Sequence, residues 1–424
     1  MVRPVQKNNL DKIRYGEYLD GLLKMKNNIW PTLFGVFCLF LAASLSLSAR
    51  HPASAPADKL AGEQGQTPEL QESPPQRPWP GFLGIVRTSL LLVNKEWLRG
   101  RWLYFTTADG LSSNVVLSVA VQGDAVWFGT YGGGASCFEK STGRWSVTTT
   151  KGEPAQTRKT RSGLHWENVL EDNHVTAAAA DLDGSMWFGT TFYGFGDFFG
   201  VSRFTDRPKP KWTLHGLAQG LLGNDVTSIA CEPEFVWVGT TKGLGRFTKR
   251  TSRWAFFSSN KQIPGAYINA VLVRGPEVWL GTSTGVVVFD KEKTTWKPFT
   301  TADGLPEDSV QALAYDGRRV WAGGTYGSLA FYSTEEQAWK AVEPGDGLAD
   351  KWIKGMAADG KYLWVARDGG VSCLNIAAGK WLGLTAEDGL VNSRVNAVAF
   401  DGHSIWFGTG AGVCQFLLYP ERKP

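Results

Sequence analysis

The sequence is poor in the residues that build most catalytic and metal sites. It has 5 cysteines, 5 histidines and 4 methionines among 424 residues, and only 20% of its residues are charged. The cysteines show no disulfide framework, so we expect free thiols. No glycine-rich phosphate loop or nucleophile elbow is present, and we expect no metal and no cofactor. The net charge of +4 is small for this length and argues against a nucleic-acid partner.

Tryptophan, by contrast, is abundant, with 19 residues. Seven of these follow an aliphatic residue or methionine, and Gly-Thr comes soon afterwards in most copies, as in Val126-Trp127-Phe128-Gly129-Thr130. The other six are Trp187, Trp237, Trp279, Trp321, Trp364 and Trp406. Successive members are 60, 50, 42, 42, 43 and 42 residues apart, inside or near the length of one four-stranded propeller blade. The spacing therefore predicts seven blades.

A second tryptophan marks the outer strand of most copies. In five cases it precedes the next inner tryptophan by 25 residues, and Trp102 precedes Trp127 by the same interval although no blade stands before it. The last copy reaches Leu418 and lacks an outer strand of its own. We therefore predict that residues 99–106 form the outer strand of the seventh blade, beside residues 413–418, and so close the ring.

Each copy is predicted to contain four short antiparallel strands, labelled a to d from the channel outward. Strand a is an apolar run such as Val115 to Val121, and strand b carries Trp-Phe-Gly-Thr. Strand c follows the next glycines, as in Ala135 to Glu139, and strand d carries the outer tryptophan. Aromatic and β-branched residues dominate these runs, and no helical period of comparable length competes. The predicted fold class is all-β, a seven-bladed β-propeller over residues 99–419, preceded by one N-terminal transmembrane or signal helix.

Four copies begin with an Asp-Gly-Leu turn, at Asp109-Gly110-Leu111, Asp303-Gly304-Leu305, Asp346-Gly347-Leu348 and Asp388-Gly389-Leu390. Together with Trp-Phe-Gly-Thr, this pattern resembles the two-component regulator propeller repeat of the extracellular sensor regions of bacterial hybrid histidine kinases. The resemblance implies a sensing or binding role. Such sensors usually pair two propellers with a further all-β domain, a membrane helix and a kinase. This sequence ends at Pro424 after its last blade, so we expect any signalling to require a partner chain.

Four segments precede the propeller. Residues 29–49 carry no charge, and 21 residues at about 1.5 Å each span about 31 Å, the thickness of a hydrocarbon core. Basic residues outnumber acidic ones in residues 1–28, which predicts a cytoplasmic N-terminus and an inner-membrane anchor with the propeller in the periplasm. The alternative is a signal peptide starting at Met25, whose cleavage would secrete the propeller to the periplasm. Residues 50–80 contain seven prolines and are predicted to be a disordered linker, whereas residues 81–98 are an apolar segment, a strand or a short helix, packed on the propeller.

Two copies are longer than the rest. The d-to-a connection between blades 1 and 2 has 17 extra residues, and the b-to-c connection of blade 2 has 7 or 8. These connections share one face of the ring, and aromatic residues beside cations suit a protein or a sugar ring. Alternatively, the aromatics cap blade 2 and the basic run is a solvated loop. The predicted binding residues are Arg158, Arg161, His165 and Trp166 in the first insertion, and Phe192, Tyr193, Phe195, Asp197 and Phe198 in the second.

Three function classes remain open. The favoured one is a non-enzymatic module that binds or senses a protein, peptide or glycan, held at the membrane through residues 29–49. The second is a propeller-type lyase or hydrolase, which would need several acidic, basic or histidine side chains at the channel ends of strands a and b. Only Glu171, Asp172 and His174 are evident near such a position. The third is a structural role in an envelope assembly, because a propeller fold alone does not fix function.

Overall fold

A computed structural model of the protein describes residues 92–95, 97–149, 158–160, 163–165, 170, 172–191, 200–206, 208–216, 221, 225–258, 263–264, 267–343 and 351–419. Within these ranges 31 strands form seven antiparallel sheets and one separate hairpin. No helix in the described part of the chain is long and apolar enough to cross a membrane. The predicted segments 1–28, 29–49 and 50–80 lie outside the described residues.

Blades 1 to 6 are four-stranded sheets whose strands follow one another in the sequence, from strand a at the channel to strand d outside. Blade 1 consists of β3 (Val116–Gln122), β4 (Ala125–Thr130), β5 (Ala135–Glu139) and β6 (Arg144–Thr148). Blade 2 consists of β9 (Val175–Ala180), β10 (Met186–Thr190), β11 (Gly200–Thr205) and β12 (Lys211–Gly216). Blade 3 consists of β13 (Val226–Cys231), β14 (Phe235–Thr240), β15 (Gly243–Thr248) and β16 (Arg253–Ser258).

The remaining blades follow the same order. Blade 4 consists of β17 (Ile268–Arg274), β18 (Glu277–Thr282), β19 (Gly285–Asp290) and β20 (Thr295–Phe299). Blade 5 consists of β21 (Val310–Tyr315), β22 (Val320–Gly324), β23 (Leu329–Ser333) and β24 (Ala338–Val342). Blade 6 consists of β25 (Ile353–Ala358), β26 (Tyr362–Arg367), β27 (Gly370–Asn375) and β28 (Lys380–Leu384). Blade 7 consists of β29 (Val395–Phe400), β30 (Ser404–Thr409), β31 (Gly412–Leu418), β2 (Leu98–Phe105) and β1 (Leu92–Lys95). The hairpin is formed by β7 (Arg158–Thr160) and β8 (Gly163–His165).

The ring closes as the sequence predicts, because β2 supplies strand d of blade 7. Trp102 pairs in register with Phe416, and its buried indole Nε1 donates to the carbonyl of Asp388 at 2.7 Å. β1 then adds a fifth strand to this blade, with Leu92 opposite Arg101. Part of the apolar segment 81–98 is therefore a strand, while residues 81–91 lie outside the described residues. One sheet joins both ends of the repeat array, so blade 7 depends on chain segments far apart in sequence.

The apolar core consists of seven clusters, each lying between neighbouring blades. The inner tryptophan of one blade packs against strand b of the next, as Trp406 does against Phe128 across the ring closure, with ring centroids 5.8 Å apart. The glycine of Trp-Phe-Gly-Thr permits this close approach. A Cβ built on Gly408 would lie 2.6 Å from Cγ1 of Val116 in the next blade. The repeat motif thus encodes the contact between blades.

The ring has two faces that differ in their connections. The turn face carries the a-to-b and c-to-d turns, and the loop face carries the d-to-a and b-to-c connections. On the turn face of six blades, Nε1 of the inner tryptophan donates to a carboxylate at 2.6 to 3.3 Å. These acids are Asp181, Glu232, Glu277, Asp316, Asp359 and Asp401.

Three of these acids also bind a lysine from the following blade. The pairs are Lys140 with Asp401, Lys249 with Asp181 and Lys291 with Glu232. Blade 1 departs from the pattern, because Gln122 stands five residues before Trp127, where four other blades have the acid. Nε1 of Trp127 is buried and has no hydrogen-bond partner among the described residues. The turn face is therefore a nearly complete ring of satisfied polar contacts.

Candidate functional site

The loop face is where the predicted insertions of blades 1 and 2 emerge. The stems of both insertions meet there, since the backbone N–H of Thr191 donates to the carbonyl of His174 at 3.2 Å. In the first insertion, β7 pairs with β8 so that Arg158 lies opposite His165 in the backbone register. The other seven predicted binding residues, Arg161, Trp166, Phe192, Tyr193, Phe195, Asp197 and Phe198, lie outside the described residues. Their role in binding stays a prediction.

The centre of the loop face is the mouth of the channel, a cavity of about 610 Å³. Its wall contains the second residue of strand a from every blade. In order from blade 1 to blade 7, these are Leu117, Thr176, Thr227, Asn269, Gln311, Lys354 and Asn396. The first residue of each strand a is a buried valine or isoleucine, and side chains alternate along a strand. The second residue therefore faces the channel.

Hydrogen bonds between neighbouring strands hold this wall in place. Thr176 Oγ1 donates to the carbonyl of Val226 at 2.7 Å, and Asn396 Nδ2 donates to the carbonyl of Val116 at 2.8 Å. Thr227 and Asn269 make the same contact with the blades that follow them. Because these amides and hydroxyls are anchored by strands rather than by loops, the mouth is a preorganised polar surface.

Sequence reasoning missed this wall. Each blade contributes one residue, so no local run of the sequence displays the set, whereas the two insertions attract attention by their length. The signal that reveals it is positional. When the seven strands a are aligned on their buried first residue, the second residue is polar in six of seven copies. Polar residues at a channel-facing position in six blades indicate that the mouth is in contact with water.

Charged groups lie on opposite sides of the mouth. On the blade 6 side, Nζ of Lys354 lies 2.6 Å from Oδ1 of Asp368 and 3.3 Å from Oδ1 of Asn396. Burial lowers the pKa of Lys354, although the pair with Asp368 opposes this shift. On the blade 3 side, the carboxylate of Asp225 accepts a hydrogen bond from Thr191 Oγ1 at 2.7 Å. The mouth therefore offers both donors and acceptors.

Exposed aromatic side chains lie on the same face as this polar centre. Among the described residues, six large apolar side chains are exposed, and four of them are aromatic residues of the loop face. These are Tyr131 (47% exposed), Tyr267 (51%), Tyr326 (73%) and Trp352 (49%). Trp352 lines the mouth itself. The other two exposed side chains, Val147 and Leu182, lie on an outer strand and on the turn face. Most of the exposed large apolar side chains in the described part of the chain are thus on the loop face.

The residues considered for catalysis form a smaller group on the rim. Nδ1 of His174 lies 2.8 Å from Oδ1 of Asp172, and the ring of Tyr131 stands edge-on to the imidazole at a centroid distance of 4.4 Å. Glu171, the third candidate, lies outside the described residues. No group of three histidine, cysteine or acidic side chains in the described ranges is arranged to hold a metal ion. Among the described histidine side chains, His174 is therefore the one that lies in a d-to-a connection of the loop face.

Solved structures share this architecture. The extracellular domain of the putative hybrid two component system BT3049 from B. thetaiotaomicron is similar with a TM-score of 0.60 at 17% identity, over 76% of this chain and 42% of that one. The extracellular domain of the putative one component system BT4673 from the same organism has a TM-score of 0.58 at 19% identity, over 77% of this chain and 40% of that one. The resemblance predicted from the repeat is confirmed.

A third structure with this fold is an enzyme, virginiamycin B lyase from Staphylococcus aureus. Its TM-score is 0.55 at 16% identity, and the match covers 75% of this chain and 98% of the lyase. This chain therefore spans about two fifths of the two extracellular domains and nearly all of the lyase. No protein-family model and no curated protein matches the sequence. At these identities the likeness establishes the propeller fold.

Proposed function

We propose that this protein is a non-enzymatic binding module that holds a glycan at the mouth of the channel on its loop face. The observation that carries the proposal is a polar cavity of about 610 Å³ that is lined by exposed Trp352 and lies on the face that carries three further exposed aromatic rings. Aromatic faces pack against the apolar face of a sugar ring, while anchored amides and hydroxyls both donate to and accept from its hydroxyl groups. Large apolar side chains that are exposed together on one face of a domain are typical of an interaction site.

The predicted insertions extend this surface on the side of blades 1 and 2. Thr191, the residue that leads into the second insertion, lines the mouth. We propose that the aromatic side chains within the segment 192–199 contact the outer part of the same ligand, together with the basic side chains of the first insertion. A protein or peptide would instead be expected to use the insertions as its main contact and to depend little on Trp352.

The test is a screen of the full chain against immobilised oligosaccharides and a parallel capture of peptides and envelope proteins. Wild-type protein is expected to retain one class of oligosaccharide. The variant Tyr267→Ala, Tyr326→Ala, Trp352→Ala should lose that binding, since each aromatic anchor contributes on the order of 2 kcal/mol. The matched control is Leu182→Ala, which removes an exposed apolar side chain from the turn face. Retention of proteins but no glycan, or full binding by the triple variant, would contradict the proposal.

We further propose that the propeller acts outside the cytoplasm, either anchored by residues 29–49 or released by signal cleavage. The uncharged segment and the basic residues before it support export. The two extracellular domains of similar fold agree with that location. A reporter enzyme fused after Pro424 should be active only in the periplasm. Activity confined to the cytoplasm would refute export, and the mature N-terminus would distinguish an anchor from a cleaved peptide.

Catalysis is the second candidate, and the contact between His174 and Asp172 favours it. A carboxylate on Nδ1 orients an imidazole so that Nε2 can act as a base. The proposal of binding predicts that His174→Ala leaves the bound glycan chemically intact and changes only its affinity. Cleavage of a retained glycan by wild-type protein, abolished in His174→Ala, would show that the site is an active site.

A further inference from the structure

Blade 6 carries a charged residue at a loop-face position that is uncharged in the other six blades. The last residue of strand b is threonine in five blades (Thr130, Thr190, Thr240, Thr282 and Thr409), is Gly324 in blade 5, and is Arg367 in blade 6. The threonine of the other blades is buried. Arg367 is also buried, with 4% of its surface exposed, so this blade places a guanidinium where the others place a small hydroxyl.

The buried guanidinium has hydrogen bonds but no countercharge. Nε of Arg367 donates to Ser372 Oγ at 2.9 Å, and Nη1 donates to the carbonyl of Asp368 at 3.2 Å. No carboxylate lies within salt-bridge distance of it in the described part of the chain. Burial lowers the pKa of Arg367, which reflects the cost of removing the cation from water. An unpaired buried cation is costly, and it leaves a positive potential at the adjacent surface.

Two more cations stand at that surface. Lys354 and Arg394 both line the mouth, and Lys354 forms an ion pair with the carboxylate of Asp368. The backbones of Asp368 and Arg394 are bridged, which brings the blade 7 cation beside blade 6. Arg394 is exposed and makes no ion pair with any described residue. Of the three cations Lys354, Arg367 and Arg394, only Lys354 is paired with a described carboxylate, that of Asp368.

Two other described acids of the loop face, Asp225 and Glu307, are engaged away from this cluster. Asp225 lies in blade 3 and is held by Thr191, and Glu307 of blade 5 accepts hydrogen bonds from Ser328 and from the backbone of Tyr326. Neutral donors thus occupy both carboxylates, since Asp225 accepts from hydroxyl groups of blades 2 and 3 and Glu307 accepts from groups of blade 5. The positive potential of blade 6 is left facing the mouth, next to the exposed ring of Trp352.

We propose that the blade 6 side of the mouth is a subsite for an anionic group, a carboxylate or a sulfate ester, carried by a sugar ring that packs on Trp352. This inference rests on the proposed function for the identity of the ligand as a glycan. Arg394 and Lys354 contact the anion directly, and Arg394 can present two parallel N–H groups to it. Arg367 stands behind them as a positioning residue that strengthens the local positive potential.

The experiment compares matched acidic and neutral oligosaccharides on the full chain. Oligogalacturonides are paired with their methyl esters, and sulfated galactans with their desulfated forms, so that the two arms separate carboxylate from sulfate. Wild-type protein should bind the acidic member of at least one pair about tenfold more tightly or better. The variant Lys354→Met with Arg394→Gln should bind that acidic member about 30-fold more weakly and should lose much less affinity for the neutral member, so that the preference for the acidic member disappears. The control Lys380→Met with Arg253→Gln removes the same charge from exposed sites far from the mouth and should leave both affinities unchanged.

A second measurement keeps the inference separate from the proposed function. Reductive ¹³C-methylation of the lysines preserves their charge, and the Lys354 signal is assigned by its loss in Lys354→Arg. Sodium galacturonate or sodium sulfate should shift that signal saturably, whereas galactose should not. If no oligosaccharide binds but the shift saturates, the glycan function fails and the anion subsite stands. If glycans bind with no preference for charge, or if neither anion gives a saturable shift, the anion subsite is wrong.

Discussion

The two faces of the ring use charge in different ways. On the turn face, six inner tryptophans donate to a carboxylate and three of these acids also bind a lysine from the next blade. On the loop face, Lys354 alone among the cations Lys354, Arg367 and Arg394 is paired with a described carboxylate, and aromatic rings remain exposed. Repeated, satisfied contacts hold the blades together, whereas unequal and unsatisfied groups are available to a ligand. In a repeat protein, the positions that differ between copies are therefore the ones to examine for function.

The largest effect should come from breaking a turn-face contact. Asp401→Ala removes the acceptor of Trp406 Nε1 and the buried carboxylate that pairs with Lys140. We expect the free energy of unfolding to fall by about 3 to 5 kcal/mol, measured by denaturant titration at pH 7. The control Glu335→Ala breaks a solvent-exposed pair with Arg318 and should change stability little. Equal, small effects of the two substitutions would contradict a structural role for the turn face.

The pKa of Asp401 determines how the stabilisation by this turn-face contact depends on pH. Burial raises the pKa of Asp401, but hydrogen bonds from Trp406 and from the backbone of Ser404 and His403 outweigh it, and the pKa lies below its ordinary value of 3.8. Because the folded-state pKa is depressed, this stabilisation is complete above the unfolded pKa and is lost only as the pH falls below it.

A smaller effect should appear at milder acidity. His215 of strand d in blade 2 is stacked on Trp187, and burial, followed by Arg203, lowers its pKa from 6.5 to about 4. The unfolded chain therefore takes up a proton before the folded chain does, and stability falls as the pH drops from 6.5 towards 4. We expect His215 to account for a loss of about 2 to 3 kcal/mol between pH 7 and pH 4.

The measurement is denaturant unfolding of wild type and His215→Phe at several pH values between 7 and 4. Phenylalanine keeps an aromatic ring at the site, and Nε2 of His215 is buried with no hydrogen-bond partner in the described structure to be lost. The variant should show a flatter dependence on pH over this window. Parallel curves for the two proteins would show that His215 does not carry the effect.

A gain of stability should follow from completing the turn-face ring. Gln122→Glu places a carboxylate at the position that Glu232 occupies in blade 3, where it accepts from Trp237 Nε1 at 2.6 Å. The substitution should provide an acceptor for Trp127 Nε1 and raise the free energy of unfolding by about 1 kcal/mol at pH 7. Loss of the contact from Gln122 Nε2 to the carbonyl of Ser185 makes this a modest gain. A destabilised variant would show that blade 1 is satisfied in another way.

The smallest effect on stability should come from the loop face. Trp352→Ala removes a half-exposed side chain outside the interblade clusters and should change the free energy of unfolding by less than about 0.5 kcal/mol. Its effect on ligand binding should be large by comparison. A strongly destabilised Trp352→Ala, measured beside Leu182→Ala, would show that Trp352 packs for blade 6 instead of serving a ligand.

The fold could be predicted from the sequence because each blade repeats the same contacts. The 25-residue interval between Trp102 and Trp127 predicts that the strand containing Trp102 closes the ring. The pairing of β2 with β31 confirms this prediction. The extra strand β1 could not be predicted, because its apolar residues suit a strand or a short helix equally well. Backbone pairing with β2 decides between them.

The candidate site was harder to predict, for a physical reason. Its wall takes one residue from each blade, so residues such as Leu117 and Asn396, 279 positions apart in the sequence, lie in one cavity. Sequence reasoning instead favoured the two insertions, which are local and aromatic. It placed the insertions on the same face as the mouth, since their stems meet at Thr191 and His174, but it did not point to blade 6. Arg367 stands out only when the seven strands b are aligned.

The most direct test of the account is hydrogen exchange measured by mass spectrometry on the full chain, with and without a saturating glycan from the screen. The account predicts slower exchange in peptides that cover residues 351–356, 366–369 and 391–396 at the mouth. Peptides that cover residues 359–362 and 401–404 on the turn face should exchange at the same rate in both states. Protection confined to the turn face, or none at the mouth under saturating ligand, would contradict the assignment of binding to the loop face.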